Sequence, residues 1–424
     1  LDLPRPLVSA PPPHRRRGWG SFAVAALAAT TLGVTLDRAE SPADFLGDAS
    51  TMELGVAADS LSPGSMYHVV DQIGARDLWA QGITGAGVNV AVIDTGVAPI
   101  ESLGNVIATA DLSPEAGDPT TAFVDSYGHG TAMAGIIAGA EPGADPATAA
   151  DQPEKFLGVA PDAGIVSVKI SGRDGTSDPL DVVAGIDWVI ANADRLDIKV
   201  ISLSYDSGSS LPYTADPLAA AAERAWQAGI TVVAMAGNEG PNADRLASPG
   251  IDPFVITVAA ADVSDDGTEI ADFSSAGDGI RDPDVAAPGA HIESLRAPGS
   301  LADLEHSDVG SVDGDDLLFK GTGTSQATAV TAGVVALLNQ RYPDLTPDQY
   351  KALLTSTAQP IDGSTTNAGA NLLRADLAAA APIPQTTQTW NPAFQQPSID
   401  TSNVVVCTGT DCWGGASWGG AAWG

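Results

Sequence analysis

From about Ser65 to Pro382, short apolar runs alternate with longer stretches in which apolar residues recur three and four positions apart. That alternation is the signature of strand–helix–strand units wound about a parallel sheet. The clearest strand candidates are Val88–Ile93, Ile165–Ile170, Ile198–Ser204, Ile230–Met235 and Phe254–Ala260. Between them, Leu180–Ala193 and Pro217–Ala228 carry helical periodicity and are bounded by the Asp, Pro and Gly residues that start and stop helices. The pattern predicts an α/β fold of the doubly wound kind, a mainly parallel sheet flanked by helices.

Outside this block the periodicity disappears. A basic patch, His14–Arg17, precedes an uncharged and mostly apolar run, Ser21–Leu36. The run is shorter than the ~20 residues of a bilayer span and has the length of a secretory h-region. Residues 1–37 are therefore read as an export signal or, because no clean small-x-small cleavage site follows Leu36, an uncleaved N-terminal anchor. Residues 38–64 read as a short acidic linker or pro-segment, and 65–382 as the one folded domain. Residues 383–424 turn to Gln, Thr, Pro and Ser and end in WGGASWGGAAWG, with Trp413, Trp418 and Trp423 at five-residue spacing. Neither helix nor strand has that period, so the segment reads as a low-complexity Gly/Trp-rich tail.

Composition narrows the partners. Against 19 Lys and Arg stand 53 Asp and Glu, a formal charge of -34 over 424 residues. A surface so acidic argues against nucleic acid or an anionic membrane as principal partner, since phosphate binding needs clustered positive charge. The two cysteines, Cys407 and Cys412, cannot staple the body of the chain, but in an oxidising compartment they could close a small hairpin. Association with the cell envelope through the N-terminal segment or the Trp-rich tail stays open.

Three motifs carry the chemistry. VNVAVIDTG is a buried strand that ends in Asp94, and in open α/β sheets ligands bind beyond the carboxyl ends of strands. YGHGTAMAGIIAG places His129 between two glycines at the head of a helix; His14, His68, His291 and His306 have no comparable setting. GTGTSQATAVTAGVVALL opens a long apolar helix at Ser325, where a helix N-terminus favours negative charge and flanking glycines admit a substrate carbonyl. A serine hydroxyl is a weak nucleophile until a base removes its proton. Singly, each motif reads equally well as a turn, a cap or a surface residue.

Together, the order Asp94, His129, Ser325 is that of subtilisin. Over roughly residues 66–380 the chain resembles the subtilisin-like serine peptidases, the subtilases. The resemblance implies that Ser325 attacks a peptide carbonyl, His129 takes its proton, and Asp94 holds the imidazole. It implies also that TVVAMAGNEG supplies the side-chain amide of Asn238 to the oxyanion hole beside the Ser325 N–H. FLGVAPDAGIVSVKI and DPDVAAPGAHIESL resemble further family segments. Ser204, Tyr205, Asp206 and Gly237 are expected to line the substrate cleft. No cofactor enters the chemical step, and protein or peptide substrates are implied.

Departures from the family pattern lie beside this machinery. Gln326 and Ala329 stand where Met and Pro are usual, and Ala132 where a second histidine is frequent. Asp206 stands where a glycine is usual; it would narrow the S1 pocket or favour a basic P1 side chain, or else face water, and no P1 preference is assigned. The stretch between Leu36 and Ser65 is too short for a packed pro-domain. Structural calcium is common in the family; the acids Glu141, Asp145, Asp151 and Glu154, and a second group of Asp313, Asp315 and Asp316, lack a regular loop signature, and such clusters are usually solvated faces, so structural calcium stays open and unassigned. The rival reading is a subtilase-fold binding or wall-attachment protein whose catalysis is vestigial and whose tail is the functional part.

Overall fold

A strand covered on both faces must pair every backbone N–H and C=O with a neighbour, and the apolar runs do so in one twisted sheet. The computed structural model describes residues 57–408 apart from 244, 265–266, 313, 362–369, 394–397 and 405. The N-terminal basic and apolar segment, Asp313, Cys412 and the three tail tryptophans lie outside the described residues. In chain order come α1 (Met66–Gln72), α2 (Ala75–Trp79), β1 (Asn89–Asp94), β2 (Val106–Asp111), α3 (His129–Ala138), β3 (Gly164–Lys169), α4 (Pro179–Leu196) and β4 (Ile198–Leu203). Then follow α5 (Pro217–Gln227), β5 (Thr231–Met235), β6 (Ile256–Ser264), β7 (Gly267–Ile270), β8 (Val285–Pro288) and β9 (Ile292–Leu295). The last group is α6 (Leu301–Gly310), β10 (Ser311–Val312), β11 (Asp315–Gly321), α7 (Thr324–Arg341), α8 (Pro347–Thr357), α9 (Ala375–Ala380) and β12 (Val406–Thr408).

The sheet runs β12-β2-β3-β1-β4-β5-β6-β7, with β8 also on β6. Its inner pairs are parallel, from β2 through to β6 and β8, while β12 and β7 are antiparallel additions. The chain builds one side of β1 with β2 and β3, then crosses to the other side for β4, β5 and β6. β1 is therefore the point where the winding reverses, and in such sheets the crevice for ligands opens at the carboxyl end of that point. Asp94 is its last residue.

Local signals set the helices. Asp178 and Asp216 accept N–H bonds from the first turns of α4 and α5, each with Pro just inside, and Thr346 with Gln349 forms a reciprocal capping box on α8. α7 is buried on all sides from Thr324 to Asn339. Its hydroxyls survive there because Thr328 and Thr331 donate to the carbonyls of Thr324 and Ala327, one turn back. Ala329, in this buried stretch, suits the helix that a proline would interrupt beyond its first turn. No helix among the described residues is long and apolar enough to cross a membrane.

The composition change at Pro382 does not end the packed chain. Beyond it an extended strap runs over the helices: Thr389 N donates to Asp348, Asn391 N to Glu223 and Ile399 N to Asp187. It then adds β12 to the edge of β2. Backbone donors pinned by side-chain carboxylates, two of them buried (Glu223 and Asp187), carry no periodicity in the sequence, and this is why the segment reads there as a tail. Cys407, within β12, is disulfide-bonded, and Cys412 is the chain's other cysteine.

Under the strap, two acids face one another. Asp252 Oδ1 accepts from Phe254 N, and burial, then the facing charge of Glu223, push Asp252 up to about 8. One proton between the two carboxyls satisfies oxygens that otherwise have no partner, Asp252 Oδ2 and Glu223 Oε1. A folded-state pKa above the unfolded value gives stability that is complete below the unfolded value, near 3.8, and is lost as pH rises through about 8. Asp252→Asn keeps the acceptor and removes the charge. Its melting temperature should exceed that of the wild type at pH 8 and above, the gap closing towards pH 4; a constant gap across that range would show that the pair does not titrate on unfolding.

Candidate active site

Asp94 leaves β1 buried, its Oδ1 accepting from the N–H of Thr95 at 2.8 Å. His129 opens α3, and its Nδ1 donates to the same carboxylate, 2.8 Å from Oδ1 and 3.0 Å from Oδ2. Two glycines make this approach: Gly128, at φ 114°, turns the chain into the helix, and a Cβ on Gly130 would lie 2.2 Å from Gly96 O and against Asp94. Burial works against the imidazolium, but the charge and hydrogen bond of Asp94, joined by the charge of Asp125, outweigh it and hold His129 above the ordinary imidazole value. With Nδ1 committed to the carboxylate, Nε2 is the atom left to act as base.

Ser325 is the second residue of α7, which packs against α3. Its Oγ is directed at Met235 Sδ, 3.8 Å away, and no hydrogen bond joins it to the His129 ring. Hydrogen bonds between catalytic groups are often long or unformed without substrate and tighten when it is bound. The backbone around it is fixed. Ser204 Oγ reaches Ser325 O at 3.5 Å, and Gly323 N bonds Gly289 O.

Asn238 follows β5. Its side-chain carbonyl accepts from both Thr324 N at 2.8 Å and Thr324 Oγ1 at 2.9 Å. A primary amide whose oxygen is held in this way presents its NH₂ in the opposite direction. A Cβ at Gly323 would lie 3.0 Å from Gln326 Oε1 and 3.6 Å from Asn238 Nδ2, so the glycine keeps the space between these side chains open. Gly237, at φ 108°, sends its N–H to Thr324 Oγ1 at 3.3 Å, which ties the segment before Asn238 to the segment before Ser325.

The expected cleft residues take distinct parts. Tyr205 bonds Ser177 O through its hydroxyl. Asp206 neither points freely to water nor stands alone in a pocket: Oδ1 accepts from Gly208 N at 2.9 Å and from Ser248 N at 3.1 Å, which joins the loop after β4 to the one after Asn238. Gln326 is buried against the turn at Gly321–Gly323.

Two residues that sequence reasoning missed hold the site together. Asp125 is a buried carboxylate four positions before His129, raised by burial against the pull of several hydrogen bonds. Lys169 ends β3 opposite Asp94 in register and is fully buried; its Nζ donates to Glu115, Thr121 O and Val124 O. A lone lysine ending an apolar strand, and an aspartate a few positions before a Gly-His, were the available signals.

Three of the acids raised as calcium ligands are engaged by the protein itself. Glu141 pairs with Lys155 and accepts from Phe156 N, Asp145 caps a 3₁₀ turn, and Asp315 accepts from Leu317 N. No group of three His, Cys, Asp or Glu side chains able to hold a metal occurs among the described residues.

Residues 85–379 match the subtilase family. The chain belongs to that family of subtilisin-like serine peptidases. It is similar to the serine protease AprX of Bacillus subtilis (strain 168), 40% identical over 290 residues that make up 65% of this chain and 62% of AprX. Subtilisin E of the same strain is 32% identical over 317 residues, 74% of this chain and 71% of that protein. Among solved structures, a cold-adapted subtilisin-like serine proteinase aligns with a TM-score of 0.53 at 29% identity, covering 69% of this chain and 90% of its own.

Proposed function

We propose that the chain is an exported serine endopeptidase that cleaves protein or peptide substrates through Asp94, His129 and Ser325. The observation that carries this reading is the pairing of Asp94 with His129 Nδ1 at 2.8 Å, at the reversal point of the sheet. Ser325 Oγ adds to the scissile carbonyl as Nε2 of His129 takes its proton; Asp94 stabilises the imidazolium. Nδ2 of Asn238 and the N–H of Ser325 receive the charge on oxygen. His129 then returns the proton to the departing amine, and water, activated by the same imidazole, releases the acyl group. Export is supported by the basic patch and apolar run at His14–Leu36 and by the acidic charge.

The test is turnover of an internally quenched peptide. Wild type should cleave it, and Asn238→Ala should lower kcat by ~10²- to 10³-fold with little change in KM, a scale set by the equivalent change in subtilisin. If Asn238→Ala instead raised KM alone, Asn238 would be a ground-state binding residue.

A further inference from the structure

We infer that Asp125 is a positioning residue for catalysis: it orients two threonine hydroxyls that clasp the Asp94 loop to the His129 helix. This inference rests on the peptidase reading above. Thr95, next to Asp94, donates its hydroxyl proton to Asp125 Oδ1 at 2.8 Å, and its oxygen accepts from Gly130 N, next to His129, at 2.9 Å. Thr131, two residues beyond His129, donates its hydroxyl proton to Asp125 Oδ2 at 2.6 Å, and its oxygen accepts from Ala98 N in the loop after Asp94 at 2.9 Å. Each threonine belongs to one catalytic segment and receives an N–H from the other, so the two bonds cross between the segments in opposite directions.

A hydroxyl can give its lone pair to an N–H in a defined direction only when its own proton is fixed elsewhere. Asp125 fixes both. It accepts also from Tyr127 N at 3.1 Å, Gly128 N at 2.6 Å and Thr131 N at 2.8 Å, so its two oxygens serve five donors from the turn into α3 and the two threonines. Only an ionised carboxylate can do this: an asparagine would place an NH₂ against Thr131 N–H and O–H or against Thr95 O–H, and half of the clasp would lose its acceptor. Asp125 is placed in turn by Lys169, whose ammonium holds the carbonyls of Val124, immediately before it, and of Thr121, four residues before it. The arrangement fixes the imidazole against the carboxylate without touching either side chain.

A double-mutant cycle between Asp125→Asn and Asp94→Asn separates this role from general support of the fold. A residue that acts only by holding His129 against Asp94 has nothing left to hold once Asp94 cannot accept in the same way. In the wild-type background Asp125→Asn should lower kcat on a quenched peptide by ~10²-fold, the effect of an ångström-scale misplacement, with KM little changed. In the Asp94→Asn background the same substitution should lower it less than about threefold. Equal losses in both backgrounds, or a change confined to KM, would overturn the inference. Should Asp125→Asn fail to fold by circular dichroism, Thr95→Val and Thr131→Val each remove one arm and are read in the same cycle. Failure of Asp94→Asn alone to lower turnover would instead sink the triad itself.

Discussion

Alanine at position 325 should remove peptide turnover by roughly a millionfold, the scale known for loss of the nucleophile in subtilisin, while the protein stays folded. The fold has little to lose there. The hydroxyl makes one weak contact, to Met235 Sδ at 3.8 Å, and the bond from Ser204 goes to the backbone carbonyl, which alanine keeps. Alanine is also the better helix former in the first turn of α7. The residual rate belongs to the oxyanion donors and substrate binding alone. Single-turnover assays on a quenched peptide, with circular dichroism beside them, read both halves of the expectation. Turnover retained within tenfold of wild type would mean that another group is the nucleophile.

Asp94→Asn should be the next most damaging change, lowering kcat by about 10⁴-fold. The amide can still touch Nδ1, but it can present an NH₂ where the carboxylate accepted a proton, and it leaves the imidazolium without its counter-charge. A second signature lies in the pH profile. Catalysis needs neutral His129, and the charges of Asp94 and Asp125 hold its pKa above the ordinary imidazole value in spite of burial. Activity of the wild type is therefore lost on falling through that raised value. Removing the Asp94 charge withdraws the largest contribution favouring the cation, so the acid limb of kcat/KM should move to lower pH even as the plateau drops. An acid limb that stays in place would show that a group other than His129 sets it.

Much of the architecture was legible because buried parallel strands are written as local apolar runs. Val88–Ile93 and Ile165–Ile170 differ from the observed β1 and β3 by one residue at each end. The three residues proposed as the triad stand out in the sequence because each sits at an element boundary, where Asp, His-Gly and Ser contrast with apolar neighbours. What escaped was the support that depends on distant pairing. Asp125 looks like any turn aspartate until Thr95 and Thr131 are brought to its two oxygens, and Lys169 like a strand-end charge until the loop of Glu115 to Val124 folds over it. The strap after Pro382 was unreadable for a similar reason: its bonds to Asp348, Glu223 and Asp187 are made by backbone N–H groups, which every sequence has. Asp206 showed a further limit, since sequence offered a pocket acid or a solvated one, and the carboxylate instead ties two loops together.

Reacting the folded protein with a fluorophosphonate and locating the adduct by peptide mass spectrometry asks the decisive question directly. A single phosphonyl group on Ser325, absent when His129 is replaced by alanine, is the predicted outcome. An unmodified Ser325 in folded wild-type protein, or an adduct that forms as fast without the imidazole, would contradict the account.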